Sequence, residues 1–180
     1  MLTTDIVKSG ISKTYMYDYI KRNNMEKIAH GVYASEDIWI DDMYVLGLRN
    51  KSIVFSHETA LYIHGLTDSE PSGIMVTVPN GYNATHLRKQ GVDIFSVQED
   101  MIMLGMVKGK TVYGNEISVY DIDRTICDII KNKNRFEIQI FQTAIKEYMR
   151  SKRKNISNLM KYAEKMKIEK KVRLYTEVML

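Results

Sequence analysis

The sequence has a single cysteine and no long apolar run, and both scarcities narrow the class of protein. One cysteine in 180 residues excludes an intrachain disulfide. Cys127 lies between apolar residues of a predicted helix, which favours a buried and inert thiol. The apolar runs span only a few residues, whereas a membrane helix needs about 20. Because no signal peptide opens the sequence, we expect a cytoplasmic protein.

The usual sequence patterns of catalysis and metal binding are missing as well. His57 and His64 lie too far apart for a helical zinc pair, and Glu58 does not complete a zinc motif. The loop 79–82 lacks the second glycine and the Lys-Ser/Thr ending of a phosphate-binding loop. Ser56, although followed by a histidine, is not in a nucleophile elbow. We therefore expect no enzymatic activity, no metal and no cofactor, and we interpret the two histidines as structural.

Three aspartates, Asp121, Asp123 and Asp128, stand at the start of a predicted helix. Their spacing does not bring the carboxylates to one point, as a metal site would require. We interpret Asp121 as the N-cap of the helix and Asp128 as the partner of Arg124 in a surface ion pair.

Basic residues are concentrated at the C-terminal end of a chain whose net charge is +4. Residues 131–180 carry a net charge of +9, and residues 1–130 carry −5. This asymmetry favours an anionic partner, either nucleic acid or an acidic protein surface, although solvated lysine-rich helix faces are also common. The run 151–155 reads as an exposed basic connector, in which Lys152, Arg153 and Lys154 are candidates for nonspecific anion contact.

The first 34 residues have the pattern of a helix-turn-helix followed by a hairpin. Thr3 or Thr4 can cap a first helix that ends at Ser9-Gly10, and Ser12 can cap a second helix that runs to about Asn23. In that second helix the spacing places Met16, Tyr19 and Ile20 toward a core. The opposite face is polar, basic and aromatic: Lys13, Thr14, Tyr17, Lys21 and Arg22.

Two short strands at 27–29 and 32–34 follow, joined by His30 and Gly31, where glycine supplies a positive φ. Such a hairpin can bring Lys27 or His30 to phosphates beside a DNA groove. The pattern predicts a winged helix-turn-helix DNA-binding domain over 1–36, although the helix that normally precedes the pair has no counterpart. Tyr17 also fits a half-buried surface ring, and Lys21 and Arg22 fit a solvated last turn.

The remaining chain, 37–180, reads as a second domain. We expect a helix capped by Ser35 that passes Asp37 and Trp39 and ends near Leu48, and a helix capped by Ser56 and closed by Gly65. Strands are predicted at 53–55, 75–78 and 92–97, and a hairpin joins 111–113 to 116–120 through Gly114-Asn115. Helical stripes follow around 121–129, 138–148, 156–163 and 168–179. The predicted fold class is α+β, with a small mixed or antiparallel sheet and a helical bundle.

The segment FSHETALYIHGLTDSEPSGIMVTVPNGYN, at 55–83, resembles the AbiEi family of antitoxins, from the abortive-infection toxin–antitoxin systems of bacteria. The resemblance continues in YDIDRTICDII at 120–130, in FQTAIKEY from Phe141 and in the closing VRLYTEVML. The stretch 3–33 is similar to the winged helix-turn-helix of that family, apart from the missing upstream helix. The resemblance to this family covers essentially the whole chain.

The resemblance implies a phage-defence antitoxin with two functions. An N-terminal winged helix would repress the antitoxin–toxin operon, and the C-terminal domain would neutralise a nucleotidyltransferase-like toxin, whether or not the two proteins touch. On DNA we expect two copies on inverted repeats, from a monomer or a weak dimer. The candidate DNA-binding residues are Ser12, Lys13, Thr14, Tyr17, Lys21, Arg22, Lys27 and His30. Lys152, Arg153 and Lys154 are candidates either for the antitoxin function or for nonspecific anion contact. A one-component regulator that senses a ligand, or less favourably a nucleic-acid-processing enzyme, remains the alternative.

Overall fold

The computed structural model describes residues 2–36 and 39–177, and the chain divides into two compact units, Met1–Arg49 and Asn50–Leu180. The described residues form a mixed α+β protein with nine α-helices, a two-stranded sheet and a five-stranded sheet. The domain boundary after residue 36, which we placed at the end of the winged-helix pattern, stays a prediction. Within the described residues, no helix has the combination of length and apolar character that crossing a bilayer requires.

The first unit consists of two helices, an antiparallel hairpin and a third helix. Its elements are α1 (Thr3–Lys8), α2 (Lys13–Arg22), β1 (Glu26–Ala29), β2 (Val32–Ala34) and α3 (Asp42–Arg49). Leu2 forms an isolated antiparallel bridge with Val32, and the Thr3 N–H donates to the Gly31 carbonyl over 2.8 Å. The start of α1 is thereby tied to the hairpin.

Three expectations for the first unit are wrong. The N-cap of α1 is Leu2 and no side chain caps it, so neither Thr3 nor Thr4 does so. Tyr19 does not face the core, because 49% of its surface is exposed. The third helix begins at Asp42 and not after Ser35, because the Asp41 carboxylate accepts from the Tyr44 N–H over 3.0 Å and caps it there. The expected helical residue Asp37 lies outside the described residues, and Trp39 precedes the helix.

The second unit is built on a mixed five-stranded sheet, which confirms the predicted mixed topology. Its strands are β3 (Val54–Phe55), β4 (Met75–Pro79), β5 (Asp93–Val97), β6 (Met106–Lys110) and β7 (Glu116–Tyr120), in the order β5-β4-β3-β7-β6. β4 pairs with β5 and β3 with β7 in parallel, whereas β3–β4 and β6–β7 are antiparallel. The predicted strand 111–113 is wrong. Those residues form the loop of the β6–β7 hairpin, closed by the Thr111 N–H donating to the Asn115 carbonyl over 2.9 Å.

Six helices complete the second unit, and α6 is the most deeply buried of them. They are α4 (His57–Ile63), α5 (Thr85–Lys89), α6 (Ile122–Lys131), α7 (Ile138–Arg150), α8 (Ile156–Lys165) and α9 (Glu169–Glu177). α6 packs against α4, α7, α8 and α9, and every residue from Ile122 to Ile130 is buried. Helices occupy the four segments predicted from 121 onward, although Ile138, expected to face inward, is 50% exposed at the start of α7. Residues 178 and 179 of the last predicted segment lie outside the described part.

The three aspartates of α6 are in distinct environments. Asp121 caps the helix as predicted and accepts from the Arg124 N–H over 2.7 Å. Asp123 accepts from the Tyr148 hydroxyl over 2.7 Å. The Arg124–Asp128 pair is formed with a distance of 3.1 Å, but its side chains are 0% and 4% exposed, so the prediction of a surface pair is wrong. Among the described residues, no group of His, Cys, Asp and Glu could hold a metal ion.

Burial also decides the chemistry of the lone thiol. Cys127 is fully buried, and removal of the sulfur from water raises the pKa of its thiol. A thiol that stays protonated is a poor nucleophile and a poor metal ligand. The prediction of a buried cysteine is confirmed, and that of an inert thiol stays a prediction.

Candidate nucleic-acid interface

The second helix of the first unit is set by local signals on either side of it. Gly10 has a φ of +86° and lets the chain turn sharply after α1, a conformation that residues with a side chain rarely adopt. The Ser12 hydroxyl then accepts from the Tyr15 N–H over 3.2 Å and caps α2. The predicted cap and the predicted end of the helix near Asn23 are both confirmed.

α2 presents one apolar face inward and a polar, aromatic face outward. Met16 and Ile20 are 3% and 8% exposed. On the outer side Thr14, Tyr17 and Lys21 follow one another at i, i+3 and i+7 and form a single stripe. All three are exposed, as is Lys13, and the Tyr17 ring has 54% of its surface in solvent. Side chains of this kind can reach base edges and phosphates at the same time.

A second exposed stripe on α2 was not anticipated in the sequence. Tyr15 and Tyr19 lie one turn apart and are 64% and 49% exposed. Arg22 continues this stripe and forms an exposed ion pair of 2.7 Å with Asp18. On an ideal helix Tyr19 lies about 60° from Met16 and about 100° from Ile20, at the edge of the face that these two residues define, and this position was the available signal that its ring need not face the core. An exposed pair of this type is weak, so Arg22 can exchange its carboxylate for a phosphate at little cost.

The hairpin places two further candidates beside the helix in the chain. Lys27 lies on β1 opposite Tyr33 of β2, His30 stands in the turn, and both Lys27 and His30 are exposed. Gly31 has a φ of +73°, and a Cβ there would lie 2.9 Å from Thr3 Oγ1. The turn therefore requires glycine for both its conformation and its space, and the predicted hairpin is confirmed.

Two side chains of the basic connector at 151–155 form hydrogen bonds within the second unit. An Arg153 guanidinium N–H donates to the His64 carbonyl, and the Lys154 ammonium donates to the Met149 carbonyl over 2.7 Å. Lys152 is exposed. Two of the three predicted anion contacts thus already bind backbone carbonyls, and their role toward an anion stays a prediction.

His57 is the other residue of the second unit that invites a chemical role. It starts α4 with a φ of +53°, it is buried, and its ring stacks on Phe95 at a centroid distance of 3.5 Å. Its Nε2 lies 3.1 Å from the Asn132 amide nitrogen. Its Nδ1 lies 2.9 Å from Ser56 Oγ. Since an amide nitrogen only donates, Nε2 is the acceptor and Nδ1 carries the proton.

The surroundings of His57 favour a structural role. Burial first, and then the charges of Arg135 and Arg124, lower the pKa of the imidazole, so the ring stays neutral. Ser56 is fully buried, and its hydroxyl also accepts from Thr77 Oγ1 over 2.9 Å. A hydroxyl enclosed in this way is closed to a substrate.

No protein-family model matches the chain, and no curated protein sequence matches it significantly.

Proposed function

We propose that this chain is a DNA-binding antitoxin of the AbiEi type, which represses its own operon and neutralises a nucleotidyltransferase-like toxin in the cytoplasm. The segments given above supply the resemblance. The single observation that carries the DNA-binding half is the outer face of α2, where exposed basic and aromatic side chains stand on a capped helix that leads directly into a hairpin.

In this proposal the first unit acts as a winged helix-turn-helix. α2 enters the major groove, which is wide enough to admit a helix. Lys13, Thr14 and Tyr17 approach base edges, and Ser12 holds the end of the helix that meets the DNA. Phosphates are held by Lys21 and Arg22 of α2 and by Lys27 and His30 of the hairpin. The bridge between Leu2 and Val32 ties the hairpin to the start of α1.

An inverted repeat would be read by two copies of the chain. Half-sites one helical turn apart place the two recognition helices ~34–36 Å from each other. A monomer that pairs only on DNA and a weak dimer meet this requirement equally well.

The experiment is a gel-shift salt series on the promoter of the chain's own gene, with scrambled DNA of equal composition beside it. Because Lys13 is assigned to a base edge, Lys13→Ala should reduce the preference for promoter DNA by about 10-fold. Lys27→Ala should weaken both DNAs alike and lower the salt slope by roughly 1, since it removes one phosphate contact.

The matched control is Lys161→Ala, an exposed lysine on α8 of the second unit, which should leave the sequence preference unchanged. Equal binding of the wild-type chain to promoter and scrambled DNA would exclude the repressor function.

A ligand-sensing regulator is the second candidate, and one observation favours it. The second unit has a concave pocket lined by basic side chains, of the size that small ligands occupy. A regulator of this kind would share the DNA-binding unit but would give no protection against a toxin.

A further inference from the structure

A pocket of about 390 Å³ opens where α6 ends and α9 begins. Four cationic side chains line it: Lys131, Lys133, Arg135 and Lys171. No aspartate or glutamate lines it, and none of these four cations belongs to an ion pair among the residues that the structure describes. The pocket is therefore a concentration of positive charge around a concave space.

Two of the four cations are held in place by aromatic rings. The Arg135 guanidinium carbon lies 3.8 Å from the centroid of the Phe95 ring, and stacking of this kind leaves the guanidinium edge free to donate. The Lys133 ammonium donates to the Tyr175 hydroxyl over 3.1 Å and lies 5.0 Å from the centroid of Phe141. Side chains that are already ordered lose less entropy when they bind a ligand.

Stabilisation of the helices accounts for only one of these four charges. Lys131 in the last turn of α6 complements the helix dipole. Lys171, in contrast, lies in the first turn of α9 (Glu169–Glu177), where a cation opposes the dipole. Arg135 lies beyond α6 altogether. These positions favour a function that acts on the pocket and not on the helices.

The remaining walls of the pocket suit a flat ring. Leu174 is 60% exposed, and the Tyr175 side chain lines the pocket beside it. Asn132 also lines the pocket, and its amide donates to the Asp128 carbonyl over 3.0 Å and to His57 Nε2. The pocket thus combines charge for phosphates, an apolar wall and a fixed amide.

We propose that this pocket binds the phosphate groups of a nucleotide, with the base against Leu174 and Tyr175. Several adjacent cations fit two or more phosphates better than a single carboxylate, because a guanidinium binds phosphate oxygens bidentately and lysines add point charges. The same phosphate chemistry is offered by a free nucleoside diphosphate and by a nucleic-acid backbone. The pocket belongs to the second unit, so the proposal can be tested whether or not α2 binds an operator.

The test is isothermal titration calorimetry of the full chain with ADP, adenosine and a short single-stranded DNA. The variant is Lys131→Gln/Lys171→Gln. The matched control is Lys161→Gln/Lys165→Gln, which removes the same charge from exposed positions of α8. We expect ADP to bind one-to-one and adenosine not to bind. The pocket variant should bind ADP at least about 10-fold more weakly, since two charge-assisted contacts are lost, and the control should bind it unchanged.

Each titration has an outcome that supports or overturns the proposal. Loss of ADP binding alone in the pocket variant assigns the phosphates to a free nucleotide, and a parallel loss of DNA binding assigns them to a nucleic-acid backbone. Equal affinity for adenosine and ADP would overturn the proposal. So would the absence of ADP binding at millimolar concentrations, or an equal loss in the control variant.

Discussion

His57 is the residue at which burial, backbone geometry and ionisation meet. A positive φ is uncommon for a residue with a side chain, and His57 adopts one at the junction of β3 and α4. Its ring is enclosed by Phe95 and Phe136, and both ring nitrogens have partners. The ring is therefore fixed as the neutral imidazole, and protonation would break an arrangement that the second unit depends on.

The free energy of unfolding should accordingly fall as pH is lowered through 6.5. The folded state holds the pKa of His57 well below 6.5, so below that pH the unfolded chain binds a proton that the folded chain does not. The loss approaches about 1.4 kcal/mol per pH unit, and His64 adds to it because its pKa is lowered as well, chiefly by burial. Urea unfolding at pH 7.5, 6.5 and 5.5 measures the slope.

Three carboxyl groups act in the opposite direction, since burial raises the pKa of Glu58 and of Asp121 and, most of all, that of Asp128. Burial raises the pKa of Asp128 to about 6 despite the neighbouring Arg124, so below pH 6 the folded chain gains a proton before the unfolded one does.

The variant His57→Asn keeps a residue that tolerates positive φ and should have a shallower slope than the wild type between pH 7.5 and 6. His30→Asn, in the exposed turn of the hairpin, is the control. An unchanged slope in His57→Asn would contradict the role assigned to burial.

At the scale of elements, α2 depends on its N-cap. The helix has only 10 residues, and isolated helices of that length are marginal in water. The Ser12 hydroxyl satisfies one of the N–H groups that the helix itself leaves unpaired. A base-reading helix with a frayed first turn would lose the position of Lys13 and Thr14.

Ser12→Ala should therefore destabilise α2 by about 1 kcal/mol. Native-state amide exchange measures this locally, as faster exchange of the Tyr15 and Met16 amides. Thr14→Ala removes an exposed hydroxyl from the same turn and should change exchange by less than about 0.5 kcal/mol. Ser12→Asp should restore protection, because aspartate caps as well as serine. If all three variants exchanged alike, the cap would have no part in holding the helix.

Local signals in the sequence predicted some elements correctly and others wrongly, and elements set by tertiary contacts were not predictable. The side-chain caps expected of Thr3 or Thr4, of Ser35 and of Ser56 do not form. The caps Ser12 and Asp121 were correct because a side-chain acceptor needs only the next turn of backbone. The Arg124–Asp128 pair was placed on the surface because i, i+4 spacing says nothing about which face is buried. Gly114-Asn115 suggested a two-residue turn, but the Thr111–Asn115 hydrogen bond makes a longer loop and moves the strand to Met106–Lys110.

The sequence likewise predicted only part of the candidate site. Periodicity identified the outer face of α2, because Met16 and Ile20 mark the inner one. It missed Tyr15 and misplaced Tyr19, because tyrosine is compatible with both core and surface. The basic pocket was not predicted, because Lys131 and Lys171 are 40 positions apart in the sequence and only the packing of α9 on α6 brings them to one pocket.

At the scale of the whole molecule, two compact units suit two separable activities. The proposed operator contacts all lie in the first unit, and the buried polar network of α6 and the basic pocket lie in the second. A change on α2 should therefore affect promoter binding and leave protection against a toxin intact. Operator binding by the first unit and toxin neutralisation by the second should thus be separable by mutation.

The most direct test is growth of cells that express the toxin candidate encoded beside this chain's gene, with and without the chain, each from an inducible promoter. We expect the wild-type chain to restore growth and Lys13→Ala/Lys27→Ala to restore it equally, although that variant binds promoter DNA more weakly and with less preference. Cells that stay arrested in the presence of the wild-type chain would contradict the antitoxin function. Rescue that is lost in the α2 variant would contradict the separation of the two units.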